Sequence, residues 1–121
     1  MPAETSQPDE TFGQRIQRLR RERGLTQRQV AAELGIDFTY LSKLENNRGE
    51  PPGEDTVRRL AAVLQTDAEM LLALAGKVPP ELRERAQRDV EFARLLRRLP
   101  SITDEELRRL SKNLKIPPAD Q

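Results

Sequence analysis

The sequence predicts an all-α fold, with one helical domain followed by further amphipathic helices. Apolar side chains recur at spacings of three and four residues through most of the chain, which is the period of a helix. Thr11, Thr26 and Thr103 are each followed three residues later by Gln or Glu, and this capping-box pattern marks helix starts. The 121 residues include three Phe, one Tyr and no Trp, so an aliphatic helical core is expected rather than a sheet.

The first predicted helix starts at Thr11 and ends near Gly24. Phe12, Ile16 and Leu19 share one face of it and are expected to enter the core. The remaining surface is basic and carries Arg15, Arg18, Arg20, Arg21 and Arg23. These arginines form either a solvated helix surface or, for one or two of them, clamps on phosphate groups.

The next two predicted helices meet at a tight turn around Gly35. Thr26 caps the first of them and Asp37 caps the second. Ala31, Gly35 and Leu41 stand four and six residues apart. Ala31 is then a small residue where the two helices cross, Gly35 tolerates positive φ in the turn, and Leu41 packs between the helices at the crossing. This spacing predicts a helix-turn-helix, and a plain αα-hairpin within a helical bundle is the alternative.

The second helix of this pair presents a polar outer face. On a wheel of about 100° per residue, the side opposite the buried leucines carries Thr39, Ser42, Lys43 and Asn46, with Phe38 and Tyr40 on its flanks. Lysine can contact guanine O6 and N7, asparagine can contact adenine N6 and N7, and an aromatic edge can contact a thymine methyl. We therefore predict that this helix reads base edges in the major groove of DNA.

Two more helices complete the predicted domain, one from Glu54 to Gln65 and one from Asp67 to Gly76. The expected domain boundaries are residues 10–76, preceded by a disordered tail over residues 1–9. Arg48 lies in the loop after the predicted recognition helix, where it either reaches a phosphate or remains a free surface cation.

Composition excludes several classes of site. The chain has no Cys and no His, which removes disulfides, Cys/His zinc sites and the usual base for a serine or cysteine nucleophile. Phosphate-loop, dinucleotide and calcium-loop spacings are also absent, so we expect neither an enzyme nor a cofactor. No apolar run is long enough for a membrane span, and a cytoplasmic, nucleoid-associated protein is expected.

Charge is distributed unevenly within a nearly neutral chain. Residues 10–48 hold eight Lys/Arg against five Asp/Glu, whereas residues 49–76 hold two against five. A basic face is therefore expected on the part of the domain that carries the recognition helix.

Three runs of the sequence resemble the xenobiotic-response-element (XRE) or Cro/C1-type helix-turn-helix family: RIQRLRRERGLTQRQVAAELGI, YLSKLENN and EDTVRRLAAVL. The resemblance covers about residues 12–75 and implies a five-helix, lambda-repressor-like DNA-binding fold that is usually dimeric. By position, Gln27, Asn46 and Arg48 would touch phosphates, while Phe38, Thr39 and Lys43 would face bases. Phe38 departs from the commonest family pattern, which has a polar residue there, so its role is either packing or a methyl contact. The complete predicted DNA-binding set is Gln27, Arg28, Phe38, Thr39, Ser42, Lys43, Asn46 and Arg48.

The remainder of the chain lies outside this resemblance. We expect a linker at residues 77–80, a helical region at 81–116 and a tail at 117–121. One helix is predicted from Glu81 to Leu99 and a second after the Thr103 capping box, both amphipathic. Two short amphipathic helices must cover their apolar stripes on the domain, on each other or on a second subunit, and we favour the subunit. The predicted dimerisation residues are Phe92, Leu95, Leu96, Leu99, Leu107, Leu110 and Leu114.

These patterns support a leading function and an alternative. The leading prediction is a transcriptional repressor that binds a near-palindromic site in double-stranded DNA as a homodimer. The alternative is an antitoxin-like or peptidase-regulated protein whose carboxy-terminal helices bind a protein partner, either a toxin or a zinc metallopeptidase.

Overall fold

The computed structural model describes residues 10–117, which form eight α-helices and one short 3-10 helix. The helices are α1 (Phe12–Glu22), α2 (Gln27–Leu34), α3 (Phe38–Glu45), α4 (Glu54–Leu64), α5 (Ala68–Leu74), α6 (Pro80–Arg88), α7 (Val90–Arg98), the 3-10 helix (Leu99–Ser101) and α8 (Asp104–Asn113). The predicted all-α fold class is confirmed, with five helices in the first part of the chain. The tails expected at 1–9 and 117–121 lie outside the described residues, apart from Pro117.

Local capping sets the starts of three helices as predicted. Thr11, Thr26 and Thr103 each accept a hydrogen bond from the backbone amide three residues ahead, and the Gln or Glu at that position bonds back to the threonine amide. Gly35 ends α2 with φ of 71°, a left-handed conformation that glycine adopts without steric cost. The turn between α2 and α3 therefore follows directly from the local sequence.

Within residues 10–117, the buried hydrophobic core lies in the first five helices and at Ala75, which directly follows α5. Its members are Phe12, Ile16, Leu19, Val30, Ala31, Leu34, Leu41, Leu44, Val57, Leu60, Ala61, Leu64, Leu71, Leu72 and Ala75. α3 packs on both α1 and α2, and α4 packs on α5 and α2. The chain divides into two compact units, and the boundary falls between Lys77 and Val78.

The second unit corrects one prediction. Residues 81–99 do not form a single helix, because the chain leaves α6 at Asp89 with extended backbone angles, φ −143° and ψ 106°. The Asp89 carboxylate accepts a hydrogen bond of 3.1 Å from the Phe92 amide and so becomes the N-cap of α7. The region therefore contains three α-helices rather than the expected two, with α6 packed on α7.

Helix length and polarity bear on membrane insertion. Within residues 10–117, none of the helices combines the length and apolar character needed to cross a bilayer.

Candidate nucleic-acid interface

α3 exposes the side chains that were predicted to read DNA. Phe38, Thr39 and Lys43 are exposed and Ser42 is half-buried, while Leu41 beneath them is buried in the core. The amphipathic pattern of the helix therefore places polar and aromatic groups outward together on one surface. Side chains of these types can hydrogen-bond or pack against base edges.

The carboxylate at the start of α3 is used by the backbone. Asp37 caps α3, and its Oδ1 accepts a hydrogen bond of 3.0 Å from the Thr39 amide. This hydrogen bond satisfies one of the free N–H groups of the first turn and favours the helix start at Phe38.

A buried ion pair joins the carboxyl end of α3 to α1. Arg20 donates to both oxygens of Glu45, with Nε to Oε2 at 2.6 Å and Nη2 to Oε1 at 3.0 Å. Arg20 Nη1 also donates to the Leu25 carbonyl at 2.8 Å, and both charged side chains are less than a tenth exposed. The pair therefore fixes α3 against α1 and the loop that precedes α2.

Gln27 joins the same network. Its Nε2 donates to Glu45 Oε1 at 2.9 Å, so this predicted phosphate contact is tied to the end of α3. Sequence reasoning missed Glu45, although a signal was available: Glu45 follows Leu41 by four residues and so falls on the buried face of α3. A carboxylate on a buried face requires a cation, which Arg20 supplies.

A close helix approach adds a second anchor for α3. The Gly13 amide of α1 donates to Asn47 Oδ1 at 3.0 Å, just beyond α3. A Cβ atom at Gly13 would lie 2.6 Å from this oxygen and 2.7 Å from the Glu45 carbonyl oxygen, so no larger residue fits here without movement. Asn47, with φ of 56°, was also missed, since its contact joins residues 34 apart in sequence.

The basic face predicted for α1 is largely engaged inside the molecule. Arg15 and Arg18 each lie 2.7 Å from a Glu10 carboxylate oxygen, and the hydrogen bond with Glu10 raises the pKa of Arg18 above its ordinary value. Arg23 donates to the carbonyls of Leu64 and Gln65, whereas Arg21 is exposed. The interpretation of α1 as a solvated or phosphate-clamping basic surface is thus wrong for Arg15 and Arg20, which are buried.

Three other cations, in α2, in α3 and in the loop after α3, have no carboxylate partner among the described residues. Arg28, Lys43 and Arg48 are exposed, and no carboxylate within residues 10–117 forms an ion pair with them. The Arg28 guanidinium carbon lies 4.0 Å from the centroid of the Phe38 ring. Positive charge that the protein leaves uncompensated remains available to an anionic partner.

Asn46 ends α3 and keeps only part of its hydrogen-bonding capacity. Its Nδ2 donates to the Ser42 carbonyl at 2.8 Å, which leaves a second amide hydrogen and the side-chain oxygen. The backbone amide of Arg48 donates to the Lys43 carbonyl at 2.9 Å, so the loop containing Arg48 starts close to the end of α3.

The residues predicted for dimerisation are all at least partly exposed in the second unit. Leu95 and Leu107 are each 48% exposed, and Leu114 is 61% exposed. Phe92, Leu96, Leu99 and Leu110 are half-buried. Leu95, Leu99 and Leu110 meet at a cavity of about 260 Å³ that Ile102 also lines. Beside this cavity, Arg98 Nη2 forms an ion pair of 3.2 Å with Glu106 Oε2 and links α7 to α8.

Within residues 10–117, acidic side chains do not gather in a group of three or more that could hold a metal ion. The geometry instead provides an exposed helix with unpaired cations near it, fixed from behind by the Arg20–Glu45 pair.

Comparison with known proteins shows which family this sequence is similar to. The sequence model of a family described as a helix-turn-helix domain matches residues 13–77. The HTH-type transcriptional regulator RghRB of Bacillus subtilis (strain 168) is 42% identical over 79 residues, which cover 63% of this chain and 57% of that protein. The HTH-type transcriptional repressor RghR of the same organism is 35% identical over 69 residues, covering 57% and 51%.

A solved structure is also similar. It is SinR, the master regulator for biofilm formation, in complex with DNA, which aligns at 32% identity and a TM-score of 0.48 over 51% of this chain and 98% of that chain. The chain spans about half the length of the curated relatives that it matches.

The family match extends over more than half of the chain and includes the helix-turn-helix formed by α2 and α3. The relatives that it matches are named as transcriptional regulators, not as enzymes. The resemblance drawn from the sequence is thereby confirmed, and the chain belongs to the XRE or Cro/C1-type helix-turn-helix family.

Proposed function

We propose that this protein is a sequence-specific transcriptional repressor that binds a near-palindromic operator in double-stranded DNA as a homodimer. The observation that carries the proposal is the exposed face of α3 together with the cations Arg28, Lys43 and Arg48, which form no ion pair with a carboxylate of residues 10–117. The repressor role is supported by the name of the relative RghR. Such a protein would act in the cytoplasm, on the nucleoid.

The site residues divide into two roles. Phe38, Thr39, Ser42 and Lys43 occupy the outer side of α3 and would face base edges, since a major groove admits one α-helix. Gln27 is the first residue of α2, and Asn46 and Arg48 follow the last residue of α3. These three residues would contact phosphates. Gln27 keeps one amide hydrogen after bonding to Glu45, and Asn46 keeps one after bonding to Ser42. Each can therefore donate to a phosphate without giving up its internal contact.

Dimerisation follows from the limited reach of one recognition helix. One helix reads only a few base pairs, and two copies placed about 34 Å apart on one face of the duplex supply the missing discrimination. The apolar residues of α7 and α8 support this part of the proposal, because Leu95 and Leu107 remain about half exposed in one copy. Burying them against a second copy would remove apolar surface from water.

The direct test is selection of bound duplexes from a randomised DNA pool with the full-length protein. At about physiological salt, where non-specific binding is weak, we expect recovery of an inverted repeat whose half-sites lie one helical turn apart. The control is the Thr39→Ala and Lys43→Ala double variant, which changes only exposed side chains and should recover a motif that has lost its base preference at the positions these two side chains read. Recovery of the same motif by this variant, or of no motif by the unmodified protein, would contradict base reading by α3.

A second candidate function rests on the same exposed carboxy-terminal residues. α6, α7 and α8 contain no buried residue, so their apolar stripes are also open to a different protein, such as a toxin or a zinc metallopeptidase. The mass of the purified protein in solution separates the two cases. A stable dimer favours self-association, whereas a monomer that binds its operator poorly favours an external partner.

A further inference from the structure

Arg28 and Phe38 form a contact between the two helices of the helix-turn-helix. Arg28 is the second residue of α2, and Phe38 is the first residue of α3. The guanidinium carbon stands 4.0 Å from the centre of the ring, within the range of a cation–π contact. Phe38 is 36% exposed, so part of the pair remains accessible.

The position of Phe38 matters for base reading. In a helix-turn-helix, the amino-terminal residues of the second helix contact base edges. A phenylalanine side chain has no hydrogen-bond donor or acceptor and can offer a base only apolar contact. A hydrogen bond to a base at this end of α3 must therefore come from a neighbouring side chain, and the guanidinium of Arg28 lies over the ring.

The state of Arg28 suits that role. Within the part of the chain that the structure describes, no carboxylate pairs with it, whereas Arg18 and Arg20 both have carboxylate partners. The guanidinium is planar, is always charged and carries its N–H donors around its edge. Contact with the aromatic ring restrains the long side chain without occupying these donors, so less conformational entropy remains to be lost on binding.

We infer that Arg28, positioned by Phe38, reads a guanine base through O6 and N7 in the major groove. A bidentate pair between arginine and these two acceptors is the commonest specific contact to guanine. A phosphate contact by Arg28 would give charge attraction but no preference for any base. The inference rests on the proposed DNA-binding function and adds the identity of one base that is recognised.

The expected effect is measurable as discrimination between bases. One such pair changes the relative affinity for the right and the wrong base by between about 5-fold and 150-fold. Arg28 and Phe38 are exposed, so replacing either should leave the fold intact, which circular dichroism can confirm. Loss of discrimination without loss of structure is therefore expected.

The test starts from the selected operator of the full-length protein. Each guanine of a half-site is replaced in turn by 7-deazaguanine, which lacks the N7 acceptor, and the affinity is measured for the unmodified protein and for Arg28→Ala. We expect one guanine at which the replacement weakens binding several-fold for the unmodified protein and has no further effect on Arg28→Ala. Phe38→Leu should reduce this affinity penalty, whereas Phe38→Tyr, which retains an aromatic ring, should leave it in place.

A matched control is Arg83→Ala, which removes an exposed arginine of α6 and should leave both the affinity and the penalty unchanged. If Arg28→Ala weakens binding to all duplexes equally and every 7-deazaguanine penalty persists, Arg28 contacts a phosphate and the inference is overturned. A penalty coupled to Phe38 but not to Arg28 would also overturn it. Recovery of no operator at all would instead overturn the proposed DNA-binding function.

Discussion

Two charged residues of α3 that stand only two positions apart have opposite environments. Lys43 is exposed and has no carboxylate partner in the described residues, whereas Glu45 is buried and forms two hydrogen bonds with Arg20. Two positions along a helix correspond to a rotation of about 200°, which moves a side chain from one face to the other. The role of each charge is therefore set by its face of α3.

Lys43→Ala is expected to weaken operator binding by about 1 to 3 kcal/mol and to relax preference at one base, because a base contact would be lost. Arg48→Ala should instead leave base preference unchanged and lower the dependence of log affinity on log salt by about one unit, as loss of one phosphate contact predicts. Affinity measured on a set of single-base operator variants, at several salt concentrations, distinguishes these effects. Equal weakening on every duplex would identify Lys43 as a phosphate contact.

Glu45→Ala tests the anchor behind α3. The substitution leaves the Arg20 guanidinium buried and uncompensated, so we expect a loss of about 3 to 5 kcal/mol in the free energy of unfolding. Urea denaturation followed by circular dichroism measures this loss. Glu33→Ala, which removes an exposed carboxylate of α2, is the matched control and should change stability little. Similar stability of the two variants would mean that the buried pair contributes nothing.

At the scale of helices, the Asp89 side chain divides one predicted helix into two, α6 and α7. The predicted single helix from Glu81 to Leu99 combined apolar residues that together span roughly 220° at about 100° per residue. This width exceeds one face and was the signal that the helix changes direction. The structure divides the stripe at Asp89, which caps α7 and also pairs with Arg85 at 3.0 Å.

Asp89→Ala should allow the helix to continue through residue 89, since the cap that favours the break is removed. The hydrogen bond from the Phe92 amide, and then the bond from Arg85, lower the pKa of Asp89. The cap is thus fully formed above the ordinary carboxyl range and is lost as pH falls through the lowered pKa, so acid should have the same effect. NMR chemical shifts of residues 86–93 measure helicity directly, and an unchanged break in Asp89→Ala would contradict this explanation.

At the scale of the whole molecule, apolar burial is unequal between the two units. Among the described residues 10–117, all fifteen buried hydrophobic side chains lie between Phe12 and Ala75. The second unit leaves Leu95, Leu107 and Leu114 about half exposed or more, although side chains cap the starts of α7 and α8. A helical unit with so little buried surface is expected to gain stability from a partner.

Replacing Leu95 and Leu107 with Asp should convert the proposed dimer to a monomer, because charged groups would enter the apolar interface. Sedimentation equilibrium measures the mass, and operator affinity should fall with dimerisation. Val78→Asp places the same charge at an exposed apolar residue outside the predicted interface and should leave the dimer intact. A dimer that survives the double substitution would place the interface elsewhere.

The sequence by itself determined the all-α class, the first five helices and the outward face of α3. Each of these depends on contacts within a few residues, such as the Thr26 capping box, the left-handed Gly35 and the three- and four-residue spacing of apolar side chains. Local patterns are visible in a sequence because both partners stand close together in it. The family resemblance rests on the same spacings.

The tertiary structure alone decided which charges are available. Arg20 and Arg28 have the same side chain, yet Arg20 is buried against Glu45, 25 residues away, and Arg28 lies over Phe38 on the surface. Gly13 and Asn47 likewise meet across 34 residues. Such pairings depend on how α1, α2 and α3 pack in space, and no periodicity along the chain encodes the partner of a particular side chain.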